Sequence, residues 1–284
     1  MNKTNRRELR GRLPRLDTAR PDFRVVGDGG TDVGLRREVN EDSFLMLPKN
    51  AVWIVADGMG GHAGGQVAST LTVKTVGTAL LRRLYAAEQH AQQDGGRVNV
   101  PRIMEEAVRE ACATVFDTAR EQPELTGMGS TVTVLLVYGS VAYFGHVGDS
   151  RAYLIRDGEI HQVTEDHSLV QEQVAAGLIT PEQAKVSVMR NIITRSIGFE
   201  REVKVDTSAL PLRVGDQFVL CSDGLTGHVE DDEIQSIVQR EDRRRAPRTL
   251  IDLANSRGGE DNCTVVLTTV LGRRGRQRDK RSRS

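Results

Sequence analysis

The chain has 284 residues, of which 38% are apolar and 27% charged, with 39 basic and 39 acidic side chains. This suffices for one large domain or two small ones, and no run reaches the roughly 18 apolar residues that a membrane span needs. The formal neutrality hides an asymmetry: residues 1–24 hold eight Lys/Arg against three acids and residues 272–284 seven against one, leaving 24 basic and 35 acidic residues between them.

In chain order, residues 1–22 are Arg-rich and aperiodic, and are expected to be a disordered basic extension with no apolar core of a secretory signal. Phe23-Arg24-Val25-Val26 predicts a first strand and Gly27-Asp28-Gly29-Gly30 a turn. A polar interruption from Arg37 to Asp42 precedes a strand over 43–47. Pro48-Lys49-Asn50 then turns into the apolar run Val52-Trp53-Ile54-Val55-Ala56, which stops at Asp57-Gly58. Apolar residues at three-to-four spacing predict a helix over 66–84, and residues 86–100 read as a polar connector. A second helix is predicted over 102–119, with Cys112 beside its apolar stripe and most simply core. Alternation predicts strands from 131 to 163, joined at Gly139-Ser140 and at Arg156-Asp157-Gly158-Glu159.

A short helix is predicted over 166–176, capped by Thr164 or Asp166 and ended by Gly177. Pro181 opens another helical turn. A strand over 203–209, the strand ending before Asp223, helices over 231–239 and 246–257, and a strand over 262–270 complete a body of 23–271. The tail 272–284 is low-complexity and basic, and is expected to be solvated and disordered; contact with nucleic acid, anionic lipid or an acidic partner is the alternative. Sequential strands, hairpins and grouped helices argue an α+β fold with antiparallel sheets covered by helices.

Four aspartates sit at strand tips: Asp57, Asp149, Asp223 and Asp261. Taken alone, Asp57-Gly58 reads equally well as an ordinary turn. Together they form a set that converges only if a cation neutralises it, and an all-oxygen set suits Mg²⁺ or Mn²⁺ rather than zinc. Two such ions roughly 3.5–4 Å apart hold an activated water and clamp an in-line phosphoryl displacement. Arg37 is a candidate to grip the phosphate and His62 to protonate the leaving oxygen. Their bland alternatives are a salt bridge from Arg37 to Glu41 or Asp42, and a loop histidine capping the 66–84 helix. The three cysteines, Cys112, Cys221 and Cys263, lack paired spacing and fit a reducing cytoplasm. No cysteine is followed by Arg six residues on, and neither GxxxxGK[ST] nor GxSxG occurs.

The segments Arg37-Glu38-Val39-Asn40-Glu41-Asp42, Asp57-Gly58-Met59-Gly60-Gly61-His62, Gly148-Asp149-Ser150-Arg151, Ser222-Asp223-Gly224-Leu225 and Glu260-Asp261-Asn262 stand in this order. Together they resemble the metal-dependent protein phosphatases of the PPM class, the protein phosphatase 2C family, in its bacterial form. The resemblance covers about residues 23–270. It implies a β-sandwich of two antiparallel sheets flanked by helix pairs, and hydrolysis of phosphoserine and phosphothreonine in proteins by a metal-activated bridging hydroxide with Mn²⁺ or Mg²⁺.

By motif position, Asp57 bridges two metals, Gly58 gives its carbonyl to the second, and Asp223 and Asp261 complete the first. Glu41 and Asp42 act nearby, Asp149 with Asp223 matches a third-metal site, Arg37 binds the phosphate and His62 is the proposed acid. The segment 185–198 resembles the family's flap, although Ser187-Val188 stands where many bacterial members carry His-Pro. The reading expects a cytoplasmic monomer acting on phosphoproteins and opposing a Ser/Thr kinase, without nucleic acid as a partner. The alternatives are a catalytically inactive binding module and another two-metal phosphoester hydrolase such as a nuclease.

Overall fold

The computed structural model describes residues 23–60 and 64–272. The first sheet has the order β1 (Phe23–Asp32), β12 (Cys263–Gly272), β11 (Gln217–Cys221), β8 (Arg151–Arg156), β9 (Glu159–Gln162). The second has the order β10 (Asp206–Pro211), β7 (Val141–Val147), β6 (Val132–Tyr138), β3 (Val52–Ala56), β2 (Ser43–Leu47). All pairings are antiparallel. A two-stranded ribbon, β4 (Gly58–Met59) with β5 (Gly129–Ser130), lies at one end.

Strand alternation builds the layers. Successive side chains point to opposite faces, so Trp53 and Val55 of β3 enter the core between the sheets, with Leu135, Phe144, Phe218 and Val266. Val52, Ile54 and Ala56 face the other way, into a core shared with α1 (Gly64–Asp94) and α2 (Val100–Glu121). On the far side, Val219, Cys221, Val265 and Leu267 pack against α5 (Asp223–Thr226), α6 (Asp231–Arg240) and α7 (Ala246–Ser256). The result is a helix-sheet-sheet-helix sandwich, the expected α+β architecture. Two short helices, α3 (Leu169–Ala175) and α4 (Pro181–Lys185), stand beside it.

Several expectations are corrected. Gly27–Gly30 make no turn: β1 runs straight through them, paired to β12 over its whole length. The glycines are there for packing, since a Cβ on Gly27 would collide with the Trp53 ring and one on Gly29 would press on Val265 and Val266. The first helix extends ten residues past 84, into the expected connector as far as Asp94, because Ala, Glu and Gln are helix formers whatever their polarity; residues 95–99 join it to α2. Asn99 caps α2, its side chain accepting from the Arg102 N–H. The helix predicted over 166–176 starts later, at Leu169, capped by Ser168. Strand β10 begins three residues after the predicted 203, and α5 is a helical turn that the sequence pattern does not reveal. The last strand includes Gly272, the first residue of the predicted tail. The two basic ends, residues 1–22 and 273–284, lie outside the described residues.

Candidate active site

Each predicted aspartate stands within two residues of a strand end. Asp57 follows β3, Asp149 follows β7, Asp223 opens α5 just beyond β11, and Asp261 precedes β12. The sandwich carries all four to one end, where Glu41 and Asp42 join them from the loop ahead of β2. The chain around each is held by hydrogen bonds. Asp57 N–H donates to the Thr131 hydroxyl at 2.9 Å, and its carbonyl accepts from Thr131 N–H at 2.8 Å and the Ser130 hydroxyl at 3.0 Å. Asp42 accepts from the Ser222 hydroxyl at 2.7 Å. Asn262 clamps the 33–42 loop: its Oδ1 accepts from Glu41 N–H at 2.7 Å, and its Nδ2 donates to the carbonyls of Val33 and Val39.

Glycines let these segments meet. Gly34, at φ 80°, leaves no room for a Cβ against the backbone of Gly259 and Asp261. A Cβ on Gly58 would strike the carbonyls of Gly65 and Glu41. Sequence reasoning missed the supporting roles of Thr131, Ser222 and Asn262. Their only signal was position beside the acids, since a hydroxyl or amide next to a motif does not reveal its distant partner.

The electrostatics are those of crowded acids. Burial, with Asp42, Asp223, Asp149 and Asp261 around it, holds the Asp57 carboxyl well above the ordinary carboxylate range. Burial and the nearby Asp223 and Asp261 push Asp42 up to about 7, against the opposing hydrogen bonds from Thr264 and Ser222. Burial and Asp223 push Asp149 up to about 8. Asp223 and Glu41 are raised too, chiefly by burial. One carboxylate oxygen each of Glu41, Asp42, Asp149 and Asp223 is inaccessible and has no hydrogen-bond partner. Orphaned buried oxygens are costly.

Among the described residues, no three His, Cys, Asp or Glu side chains are arranged as a ready-made metal-holding group. The fit to hard cations therefore rests on the mutual electrostatic coupling, the orphaned oxygens and the all-oxygen donor set.

Arg37 lies at the rim, its NH2 donating to Asp261 Oδ2 at 2.8 Å. Its partner is thus Asp261, not the Glu41 or Asp42 of the bland alternative. Among the described residues its other N–H groups make no hydrogen bond. Gly58, beside Asp57, lies in the two-residue strand β4. His62 lies outside the described residues. Cys112 is buried as expected, its thiol donating to the Glu200 carbonyl at 3.1 Å.

Beside Asp149, Arg151 grips Asp166 through Nε and NH2 at 2.7–3.0 Å. His167, 5% exposed, accepts from Gly148 N–H through Nδ1 at 3.0 Å and contacts Asp206 through Nε2 at 3.0 Å, bracing the turn that carries Asp149.

This constellation of an acidic, strand-tip centre on a layered sandwich defines a class, and the chain belongs to the protein phosphatase 2C family, whose model matches residues 30–263. It is similar to the serine/threonine protein phosphatase PstP of Mycobacterium tuberculosis, 37% identical over 241 residues, covering 85% of this chain and 44% of that protein. The chain thus spans less than half of PstP. It is 37% identical to the protein phosphatase PhpP of Streptococcus pneumoniae over 244 residues, covering 84% of this chain and 95% of that one. Its fold matches the catalytic domain of PstP solved in complex with two manganese ions, with a TM-score of 0.73, 36% identity, and coverage of 88% of this chain and 99% of that chain.

Among the described residues no helix is long and apolar enough to cross a membrane.

Proposed function

We propose that this chain is a metal-dependent phosphatase that hydrolyses phosphoserine and phosphothreonine in proteins. The observation that carries the reading is the convergence of acids from distant parts of the chain at one end of the sandwich, with orphaned oxygens on Glu41, Asp42, Asp149 and Asp223. Membership of the phosphatase 2C family and the likeness to a manganese-bound catalytic domain support it.

In this reading Asp57, the Gly58 carbonyl, Asp223 and Asp261 hold two divalent cations, with Glu41 and Asp42 alongside and Asp149 with Asp223 holding a third. When bound, Mn²⁺ or Mg²⁺ neutralises these acids, activates water and balances charge on the transferring phosphoryl group. Arg37 already spends one N–H on Asp261. Its planar guanidinium has further donors to offer a phosphate oxygen, which fixes the phosphorus in line with the attacking water. The water oxygen bonds to phosphorus as the P–O ester bond breaks, giving inorganic phosphate, and the serine or threonine oxygen leaves with a proton that His62 would supply. Asn262 and Ser222 hold Glu41 and Asp42 in place throughout.

By the same reading, the enzyme is a monomer that works in signalling in the cytoplasm, opposing a Ser/Thr kinase. Phosphopeptide hydrolysis with Mn²⁺ is the test: release of phosphate that stops on chelation supports the reading. No hydrolysis, or hydrolysis of DNA in preference, overturns it.

A further inference from the structure

A cavity of about 640 Å³ opens from Asp149 and Asp223 and runs outward between α4 and the start of α6. Such a volume takes a few residues of a peptide. Its charged lining divides into three parts. Two internal pairs cancel: Arg151 with Asp166 at 2.7 Å, and Lys185 with Glu230 at 2.5 Å, the second reaching from α4 to the cap of α6. Asp149 and Asp223 belong to the reaction centre, and Asp149, 8% exposed with one oxygen unpartnered, lines this cavity. What remains is Asp231 and Asp232 in the first turn of α6, and Arg190.

Among the described residues, neither aspartate nor Arg190 makes an ion pair. The two aspartates are not needed as caps, because Glu230 and Glu233 already form the capping box of α6. Arg190 also borders a smaller adjoining cavity of about 220 Å³, which contains Arg37, Asp223 and Asp261. So the space shared with the smaller cavity offers arginines for an anion, and the first turn of α6 offers exposed carboxylates for a cation.

We propose that this groove holds the segment beside the phosphorylated residue and selects phosphoproteins carrying an Arg or Lys next to the phosphoserine or phosphothreonine. This rests on the phosphatase reading above and adds the substrate's charge pattern. The phosphoryl group stands by Arg37 and Arg190, and the flanking basic side chain reaches Asp231 and Asp232. The Lys185–Glu230 pair is exposed on both sides, so it is weak and open to exchange. An incoming basic side chain can take Glu230 from Lys185.

The test uses the full chain with Mn²⁺ and phosphothreonine peptides that differ only in carrying Arg, Ala or Glu on either side. Turnover of p-nitrophenyl phosphate, which has no flanks, tracks the reaction itself. Arg on one side should lower KM about fivefold relative to Ala, and Glu should raise it, with kcat little changed. The difference should shrink in about 0.5 M salt, as expected for an exposed charge contact. Asp231→Asn with Asp232→Asn should abolish the preference, and Lys185→Gln should widen it by freeing Glu230.

Equal KM values across the peptides, or a preference that survives the double substitution, overturn the proposal. So does a double variant that loses p-nitrophenyl phosphate turnover too, because its defect is then in the centre and not in the groove. If wild type hydrolyses neither the peptides nor p-nitrophenyl phosphate, the phosphatase reading falls as well.

Discussion

Trp53 and Asp57 are four residues apart, one in the middle of β3 and one just past its end. Trp53 is fully buried between the sheets among Phe144, Phe218 and Leu135, where close packing lowers the free energy of the fold. Asp57 is surrounded by carboxylates whose mutual repulsion and desolvation raise it. The same strand thus stabilises the domain along its length and destabilises it at its tip. The charged end is tolerated because the sandwich holds the tips by backbone and hydroxyl contacts, so the acids cannot drift apart. Strain of this kind is where a cation would be welcome, and where stability and activity should move in opposite directions.

Asp57→Asn should separate the two most sharply. Replacing the central acid removes a donor that the proposed chemistry needs, and kcat/KM for a phosphopeptide should fall roughly 10³-fold, equivalent to about 4 kcal/mol of transition-state stabilisation. Thermal unfolding in EDTA should show the same variant at or above the wild-type midpoint, because one repelling charge has gone. Normal turnover in Asp57→Asn, or a midpoint well below wild type without metal, would erase the contrast.

Phe218→Ala probes the other region. The ring is fully buried and tilts against Phe144 at 5.6 Å between centroids. Its loss should cost about 3–5 kcal/mol in denaturant unfolding. Turnover per folded molecule should stay near wild type, since the tips are held by other contacts. A proportionate loss of both would show that core packing, not the hydroxyl and Asn262 clamps, sets the geometry of the acids.

Acid should act on the two regions in opposite directions. Asp42 and Asp149 are raised to about 7 and about 8, so between their unfolded values and these the folded chain binds more protons than the unfolded chain. Without metal, stability from this end therefore grows as pH falls through 8 and 7. His146 is buried on β7, in contact with Thr133 of β6 and the Glu165 carbonyl, and burial lowers it to about 3. There the unfolded chain binds more protons between about 3 and 6.5, so stability is lost as pH falls, by roughly 2 kcal/mol at pH 5. Two acids outweigh one histidine between about pH 4 and 6.5, so the metal-free midpoint should rise as pH falls from about 9 and go on rising, more slowly, below about 6.5. Asp149→Asn should reduce the rise and leave the midpoint nearly flat below about pH 6.5, where Asp42 and His146 then offset each other. A rise unchanged in Asp149→Asn would remove that acid from the balance.

The acidic end was more legible in the sequence than the body that carries it. Asp57, Asp149, Asp223 and Asp261 each break an apolar run, and a break is a local signal. Layering is not local. Val52–Ala56 is buried on both faces, so its run of apolar residues could not say which side chains face the helices. Gly27–Gly30 look like a turn until β12 and the Trp53 ring are in place. Asn262 and Thr131 are ordinary polar residues until the fold brings Glu41 and Asp57 to them. Single residues were readable where their chemistry alone constrains them, and unreadable where a distant partner supplies the reason.

Arg37 gives the smallest stability effect and the finest test of the boundary between the regions. Its pair with Asp261 is half exposed on the arginine side, and such pairs contribute about 0–1 kcal/mol. Arg37→Ala should therefore move the unfolding midpoint very little. KM for a phosphopeptide should rise about tenfold, because the planar donor fork proposed to meet the phosphate is gone. Lysine restores charge but not the fork, so Arg37→Lys should recover only part of that loss. Full recovery by lysine would mean that Arg37 serves as a point charge offsetting Asp261. An unchanged KM in Arg37→Ala would place the phosphate elsewhere, leaving Arg190 as the other arginine that borders the same cavity as Asp223 and Asp261.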